Sequence, residues 1–415
     1  MGAGNTAPQK SVYGTMRLSI SAICAVVLAS GCGQDPLDFD RTCTVPNSSI
    51  FDGGLARDAI PALTNPEVVP AAGATFLRET DRVLGLVINE EARAYPFNVL
   101  WWHEIVNDTL GGEPVLMTYC PLTGSGIAFD PRVDGSTRNF GVSGLLFRSN
   151  LTMFDRQTET LWNQMLLSGI CGPDRGATLR RLPLVETTWS FWKTLHPSTT
   201  VMTETTGFER PYGLYPYGDY DQPFNTFIDA LSKEDRAKIT DARPPKELGL
   251  GLAEDNSVSV YSHTVLTGMG AVVAVNVTVR GQPVLVTYVR SHNTAMAFDR
   301  RLGDRTLTLE VASEQPVRFT DAETGTVWDA AGRAVEGPLA GTQLPLRADA
   351  YAAFWFAWSI YFDALDLFLP VASVAHCHRR KTIPRCMASF GESVVGRIVL
   401  AVKIAPRRLA PVRSA

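Results

Sequence analysis

The stretch GGEPVLMTYCPLTGSGIAFD at residues 111–130 recurs in altered form as RGQPVLVTYVRSHNTAMAFD at residues 280–299. Each copy has a short run of β-branched and aromatic residues, a turn of small or polar residues, and a second apolar run. Further matches keep the same order, such as FDRQTETLW at 154–162 with FTDAETGTVW at 319–328. Because many matches in one order indicate duplication, we predict two tandem homologous units.

The predicted first unit covers residues 81–205 and the second, degenerate unit covers residues 245–370. Short strand-like runs dominate both, and TTWSFWKTLHP at 187–197 has apolar residues at helical spacing before a proline. We therefore predict a β-rich α+β fold in which several short strands of each unit are closed by a helix. Residues 33–80 are predicted to be a lead-in segment, and the Tyr-, Pro- and Gly-rich residues 206–244 a linker or packing loop.

The N-terminus has the pattern of an export signal. Lys10 and Arg17 precede LSISAICAVVLAS at 18–30, an apolar run too short to span a bilayer. The overlapping ASGC at 29–32 resembles the bacterial lipoprotein box, so we predict a signal peptide over residues 1–32 and lipidation of Cys32. The alternative is an ordinary cleaved signal with an incidental cysteine. Lipidation would place the protein in the cell envelope, anchored to a membrane on its extracytoplasmic face.

Composition and charge argue against nucleic acid as a partner. The 415 residues are 45% hydrophobic and 19% charged, as in globular proteins, and the formal net charge is −4 without a basic stripe in the body of the chain. Residues 371–415 differ, with nine Lys or Arg residues and one acidic residue. We predict a disordered basic tail there, or the product of a reading-frame error; a metal tract at HCHRR, 376–380, is less favoured.

The seven cysteines show neither a CxxC pair nor zinc-ligand spacing. Cys43 and Cys171 could form a disulfide in an oxidising compartment, which would leave Cys120 free in the body of the chain. The sequence alone does not fix this pairing.

Three stretches together resemble a known family: WWHEIVNDTLGG at 101–112, TYCPLTGS at 118–125 and GVSGLLFRSNLTMFDRQTETLW at 141–162. The chain resembles members of the prokaryotic family catalogued as domain of unknown function 3179, over residues 45 to 362. The resemblance implies an exported or membrane-associated protein, and it assigns no activity. Many members have CPLC where this chain has CPLT, so the resemblance implies no dithiol mechanism here.

Cys120, His103 and Glu104 are the candidate catalytic residues. The second unit has neither the cysteine nor the His-Glu pair at the corresponding places, so reactive residue types are concentrated in the first unit. A thiolate beside an imidazole is a nucleophile, and Cys120 with His103 would also suit copper or zinc. The alternative is a buried cysteine that acts as a small hydrophobic residue and a histidine that donates a hydrogen bond in a packed core.

A second set of residues suggests ligand binding rather than catalysis. Polar side chains with aromatic neighbours could line a glycan-type pocket; the candidates are Trp101, Trp102, Arg148, Asn150, Asp155 and Trp162. The second unit has Asp321 and Trp328 at the places of Asp155 and Trp162. A pattern present in both units favours a turn and packing role for Asp155 and Trp162. His196 is predicted to be structural, and His263 and His292 are predicted to lie on the surface.

The sequence thus predicts an exported, lipid-anchored envelope protein with a Cys/His site for soft-metal binding or thiol chemistry. The alternatives are a non-catalytic binding module for a glycan or a partner protein, and a purely structural role. The sequence does not specify a protein partner.

Overall fold

A computed structural model of the protein describes residues 42–370. It is 45% strand and 13% helix, which confirms the predicted β-rich α+β class. The predicted signal peptide, Cys32 and the basic tail lie outside the described residues.

Thirty short strands form the framework of residues 42–370. Those before residue 210 are β1 (Ile50–Asp52), β2 (Leu63–Thr64), β3 (Val68–Pro70), β4 (Arg82–Ile88), β5 (Glu91–Pro96), β6 (Ile105–Leu110), β7 (Glu113–Cys120), β8 (Ser125–Asp130), β9 (Arg132–Val133), β10 (Ser136–Thr137), β11 (Phe140–Phe147), β12 (Asn150–Asp155), β13 (Leu161–Asn163), β14 (Ser168–Cys171), β15 (Arg180–Leu182), β16 (Leu184–Thr188) and β17 (Thr200–Met202). Those after residue 245 are β18 (Leu248–Glu254), β19 (Ser257–Ser262), β20 (Val272–Val279), β21 (Gln282–Val289), β22 (Thr294–Asp299), β23 (Arg301–Leu302), β24 (Arg305–Thr306), β25 (Leu309–Glu314), β26 (Val317–Asp321), β27 (Val327–Asp329), β28 (Ala334–Glu336), β29 (Ala350–Phe354) and β30 (Ala364–Leu367).

The helices are few and short. They are α1 (Phe97–His103), α2 (Trp189–Leu195), α3 (Lys233–Lys238), α4 (His263–Met269) and α5 (Trp355–Tyr361), with 3₁₀ turns at Asn47–Ser49, Ala71–Gly73 and Arg290–His292. The helix expected in TTWSFWKTLHP is α2. Each predicted unit also contains a helix that the sequence pattern did not predict, α1 in the first and α4 in the second.

Similar sheets occur in the two predicted units. The first unit has sheets of order β16-β4-β5-β17-β3, β15-β8-β7-β6-β2 and β1-β11-β12-β13-β14, to which the lead-in segment contributes β1, β2 and β3. The second unit has β29-β18-β19-β30, β20-β21-β22 and β25-β26-β27-β28. The similar stretches at residues 111–130 and 280–299 form the antiparallel pairs β7–β8 and β21–β22. The duplication itself stays a prediction.

The hydrophobic cores are shared between the predicted units. One cluster joins Cys120 and Phe129 of the first unit to Trp355 and Trp358 of the second. Another joins Trp192 of the first to Trp328 of the second. Tyr220 and Ile228 of the linker are buried in the first of these clusters. Tyr220 and Ile228 therefore attach the linker to the packed core, although most of its other residues are exposed.

A disulfide ties the lead-in segment to β14. Cys43 and Cys171 are joined with an S–S distance of 2.06 Å, and they lie 128 positions apart in the sequence. Among residues 42–370, no helix is both long and apolar enough to cross a membrane.

Candidate functional site

Cys120 ends β7 and is buried, with 2% of its surface exposed. The amide of Leu151 donates to its Sγ at 3.3 Å. The pKa of the thiol is raised to about 11. Burial is the main cause and the nearby Glu104 adds to it, whereas hydrogen bonds from Thr123 and Leu151 oppose the increase. The thiol is therefore protonated at neutral pH, which disfavours its use as a nucleophile.

His103 ends α1 and is fully buried. Its Nδ1 lies 2.7 Å from the carbonyl oxygen of Pro61, so Nδ1 carries the proton and donates. Its Nε2 lies 2.7 Å from the hydroxyl of Tyr212, which donates to it. Burial lowers the pKa of His103 to about 4, with a smaller lowering effect from Arg210. Both ring nitrogens are thus occupied by protein groups, and neither is left to bind a metal or to activate Cys120.

Glu104 follows His103 and has a left-handed backbone, with φ of 56° and ψ of −32°. The hydroxyl of Tyr217 donates to its Oε1 at 3.1 Å. Burial raises the pKa of Glu104 to about 7, because few polar groups replace the water around the carboxylate. The structure therefore brings Glu104, and not His103, into the electrostatic environment of Cys120.

Copper or zinc does not fit the residues proposed for it. Cys120 is buried, and His103 has no free nitrogen. In the part of the chain that the structure describes, no group of three or more His, Cys, Asp or Glu side chains is placed to hold a metal ion.

Asn150 lies in a buried polar network behind Cys120. Its Nδ2 donates to Thr123 Oγ1 and to Gln164 Oε1, each at 2.8 Å. Gln164 in turn donates to Thr118 Oγ1 at 2.9 Å. All four side chains are fully buried, so this network stabilises the β7–β12 region and offers no group to a ligand.

Arg148, Asp155 and Trp162 also have structural partners. Arg148 Nε lies 3.1 Å from Asp235 Oδ1, and its guanidinium lies over the Phe147 ring at 5.1 Å. The buried Trp162 donates from Nε1 to Asp155 Oδ2 at 2.9 Å. The second unit repeats this contact between Trp328 and Asp321, also at 2.9 Å.

The structure has a cleft of about 470 Å³. It is lined by both predicted units and the linker, through Arg82, Phe97, Trp101, Tyr119, Gly124 and Glu186 of the first unit, Tyr215, Asp221 and Pro223 of the linker, and Lys246, Glu247, Leu248, His263, Thr264, Thr267, Tyr288, Asn293 and Phe354 of the second. Among the ligand-binding residues predicted from the sequence, Trp101 lines the cleft. Trp102 instead donates from Nε1 to the carbonyl of Leu214 at 3.3 Å.

Aromatic rings form part of the cleft wall. Trp101 and Tyr215 pack edge to face with centroids 4.9 Å apart, and Phe97 and Tyr119 lie 4.4 Å apart. The turn after Cys120 reaches this wall at Gly124, whose φ is 61°. A Cβ on Gly124 would lie 2.8 Å from the Phe354 ring, so the small residue permits contact between the two units.

Charged side chains form another part of the cleft wall. Arg82 Nη2 lies 2.9 Å from Glu186 Oε1, and Arg243 Nη2 lies 2.7 Å from Glu247 Oε1. Lys246 donates from Nζ to the Tyr220 carbonyl at 2.6 Å, and burial lowers its pKa to about 8. Arg82 and Glu247 are thus ion-paired, whereas Lys246 bonds to a neutral carbonyl, and the nearby Asp221, which also lines the cleft, offsets its charge.

His263 was predicted to lie on the surface, and this prediction is wrong: it begins α4 and is 7% exposed. Its Nδ1 donates to Asn293 Oδ1 at 2.9 Å, and the hydroxyl of Tyr288 donates to the same oxygen at 2.9 Å. The pKa of His263 is lowered to about 4, mainly by burial and to a smaller extent by the charge of Arg82. His263 is therefore neutral, with its proton on Nδ1.

Residues 57–364 match the family described as "Protein of unknown function (DUF3179)". The chain belongs to this family. No curated protein and no solved structure matches the chain. Membership in DUF3179 therefore assigns no activity to the chain.

The sequence reasoning missed the linker and the second unit as sources of site residues. Tyr212 bonds to His103, Tyr217 to Glu104, and Tyr215 lines the cleft. The signal in the sequence is the density of tyrosines in ERPYGLYPYGDYDQP at 209–223, which is unusual for a solvated linker.

Proposed function

We propose that this DUF3179 protein is an exported, lipid-anchored envelope protein that binds a neutral, polyhydroxylated ligand of glycan type in its cleft. Export and lipidation rest on the N-terminal sequence, and the Cys43–Cys171 disulfide supports an oxidising compartment. The observation that carries the binding function is the cleft of about 470 Å³, which is lined by both aromatic rings and polar side chains.

The size and lining of the cleft suit a small ligand. Its volume lies within the usual range for small-molecule sites, roughly 300–1,000 Å³. The rings of Trp101 and Tyr215 offer flat apolar surface to the C–H faces of a sugar. The hydroxyls of Thr264 and Thr267 and the amide of Asn293 line the same cleft and can exchange hydrogen bonds with ligand hydroxyls.

The charge balance favours a neutral ligand over an ionic one. Arg82 is paired with Glu186, and Glu247 is paired with Arg243. Lys246 lies over the Tyr220 ring at 3.3 Å, and its charge is offset by the nearby carboxylate of Asp221, which also lines the cleft. An ionic ligand would have to compete with these partners, whereas a neutral ligand leaves them in place.

The soft-metal or thiol function predicted for Cys120 and His103 has weaker support from this geometry. It requires an ionised sulfur and a free imidazole nitrogen. The pKa of Cys120 is raised to about 11, and both nitrogens of His103 are hydrogen-bonded to protein groups.

A glycan-array screen of the full chain tests the proposed function. The array should contain neutral, acidic and amino sugars, and the comparison variants are Trp101→Ala, in the cleft, and Cys120→Ser, outside it. We expect signals on neutral glycans that Trp101→Ala loses and Cys120→Ser keeps. Absence of any signal, or a signal that Cys120→Ser alone abolishes, would contradict the proposal.

A further inference from the structure

A second, much smaller cavity lies beside the cleft. It has a volume of about 10 Å³ and shares Glu186 and His263 with the cleft lining. Three of its side chains carry a buried polar atom without a hydrogen-bond partner in the structure: Glu186 Oε2, His263 Nε2 and Tyr351 Oη. The remaining lining is apolar, formed by Leu184, Leu250, Ala295, Ala350 and Ala352. We call this cavity the polar chamber.

The three polar atoms have complementary hydrogen-bonding roles. Glu186 Oε2 is an acceptor, and its partner oxygen Oε1 already binds Arg82 at 2.9 Å. His263 Nε2 is also an acceptor, because Nδ1 holds the ring proton and donates it to Asn293. Tyr351 brings a hydroxyl, which can donate. Buried polar groups in proteins are nearly always paired, so three in one cavity indicate a missing partner.

We propose that the polar chamber binds one water molecule, which donates to Glu186 Oε2 and His263 Nε2 and accepts from the hydroxyl of Tyr351. A water has two donors and can accept, which matches this set. The chamber volume is about that of one water probe, and buried waters usually make about three hydrogen bonds.

A cation suits the polar chamber less well than water. The guanidinium of Arg82 already neutralises Glu186, and its charge also lowers the pKa of His263. A metal ion would find two ligands here, Glu186 and His263, which is fewer than the three or four protein ligands of most zinc sites. An ammonium ion would add a second positive charge beside Arg82.

The water links elements from both predicted units. Glu186 lies on β16, His263 begins α4, and Tyr351 lies on β29. Glu186 and His263 also line the cleft, so the water fixes part of the cleft wall from behind. Tyr351 is then a positioning residue for that wall. This inference concerns water alone and stands independently of whether the cleft binds a glycan.

A crystal structure of the full chain at a resolution that shows ordered water tests the proposal. We expect one peak of water density within roughly 2.7–3.2 Å of all three atoms. A chamber without density, in which Tyr351 donates directly to Glu186, would overturn it. A peak with the anomalous signal of a metal would overturn it as well.

A double-mutant cycle in solution provides a second test. Tyr351→Phe and Glu186→Ala remove different partners of the same water, so we expect their effects on the unfolding equilibrium constant to be non-additive by at least about threefold. The matched control pairs Tyr351→Phe with Glu247→Ala, which removes a carboxylate that lines the cleft and not the polar chamber. Additive effects in both cycles would contradict a shared water.

Discussion

The Nδ1 of His263 lies 2.9 Å from Oδ1 of Asn293, and this contact joins the start of α4 to the turn before β22. Asn293 adopts a left-handed conformation, with φ of 45° and ψ of 46°, which asparagine tolerates better than most residues. The same oxygen accepts from Tyr288, whose hydroxyl lies 2.9 Å from that of Thr267. This chain of hydrogen bonds fixes the tautomer of a buried histidine at the cleft.

Cys120 is expected to resist thiol reagents in the folded protein. Its surface is 2% exposed and the pKa of its thiol is raised to about 11, so little thiolate exists at pH 8 and reagents cannot reach it. Iodoacetamide labelling of the full chain, located by peptide mass spectrometry, should modify Cys120 only after denaturant is added. Rapid labelling of Cys120 under native conditions would restore the thiol-site hypothesis.

Glu104→Gln is expected to stabilise the protein at alkaline pH. The pKa of Glu104 is about 7 in the folded state against 4.5 for the ordinary group, so the folded state binds its proton more tightly. The resulting stability is complete below pH 4.5 and is lost as the pH rises to about 7. At pH 8 the ionised carboxylate therefore costs about 3 kcal/mol, which glutamine avoids while it still accepts from Tyr217.

Urea unfolding at pH 5 and pH 8 checks this prediction. The variant should gain stability at pH 8 and change little at pH 5. The reference variant is Tyr217→Phe, which removes the hydrogen bond to Glu104 and keeps the carboxylate. A loss of stability at pH 8 in Glu104→Gln would show that the ionised carboxylate is stabilised in the folded protein.

His103 and His263 should make the fold sensitive to acid. The pKa of each is lowered from 6.5 to about 4, chiefly by burial. Above pH 6.5 the two histidines are neutral in both the folded and the unfolded state. Between pH 6.5 and 4 the unfolded state binds protons that the folded state does not, so the stability of the fold decreases as the pH is lowered. His103→Gln should flatten the pH profile of the unfolding free energy in this range. An unchanged slope in this variant would contradict a neutral, buried His103.

Asp155→Ala and Asp321→Ala are expected to have equivalent effects. Each removes the acceptor of a buried tryptophan, Trp162 or Trp328, and leaves its indole N–H unpaired at a cost of about 2–3 kcal/mol. Thermal unfolding should show a similar loss for both variants, and neither should alter ligand affinity at the cleft. A loss of affinity in Asp155→Ala alone, at unchanged stability, would assign Asp155 to a binding site.

Reduction of the Cys43–Cys171 disulfide should destabilise the fold. The bond closes a long loop, so its removal is expected to cost about 2–5 kcal/mol. Denaturation of a Cys43→Ser, Cys171→Ser variant beside the unaltered chain measures this cost. If the double variant and the unaltered chain are equally stable, with or without a reductant, the disulfide no longer supports an oxidising compartment.

Local patterns in the sequence predicted the local structure. The expected helix at Trp189–Leu195 is present, and the short strand-like runs form antiparallel pairs such as β4 with β5. Helices α1 and α4 were missed because neither stretch shows a sustained helical pattern. Their positions depend on packing against the sheets.

The candidate site was harder to predict than the fold. Adjacency in the sequence suggested that His103 and Glu104 act together, yet α1 ends between them and directs their side chains to different partners, Tyr212 and Tyr217. The cleft combines residues from three distant stretches of chain. Such long-range proximity leaves no signature in spacing, and the linker tyrosines were the one local indication.

The most direct test of the cleft as the binding site is calorimetric titration of a neutral oligosaccharide into Trp101→Ala and Trp102→Ala. The two tryptophans are adjacent on α1, but Trp101 lines the cleft and Trp102 donates to Leu214 outside it. Loss of the stacking surface should cost about 1–2 kcal/mol, so we expect Kd to rise about 5- to 30-fold in Trp101→Ala. Trp102→Ala should retain the original affinity. Equal affinity in Trp101→Ala and the unaltered chain would contradict the proposed function.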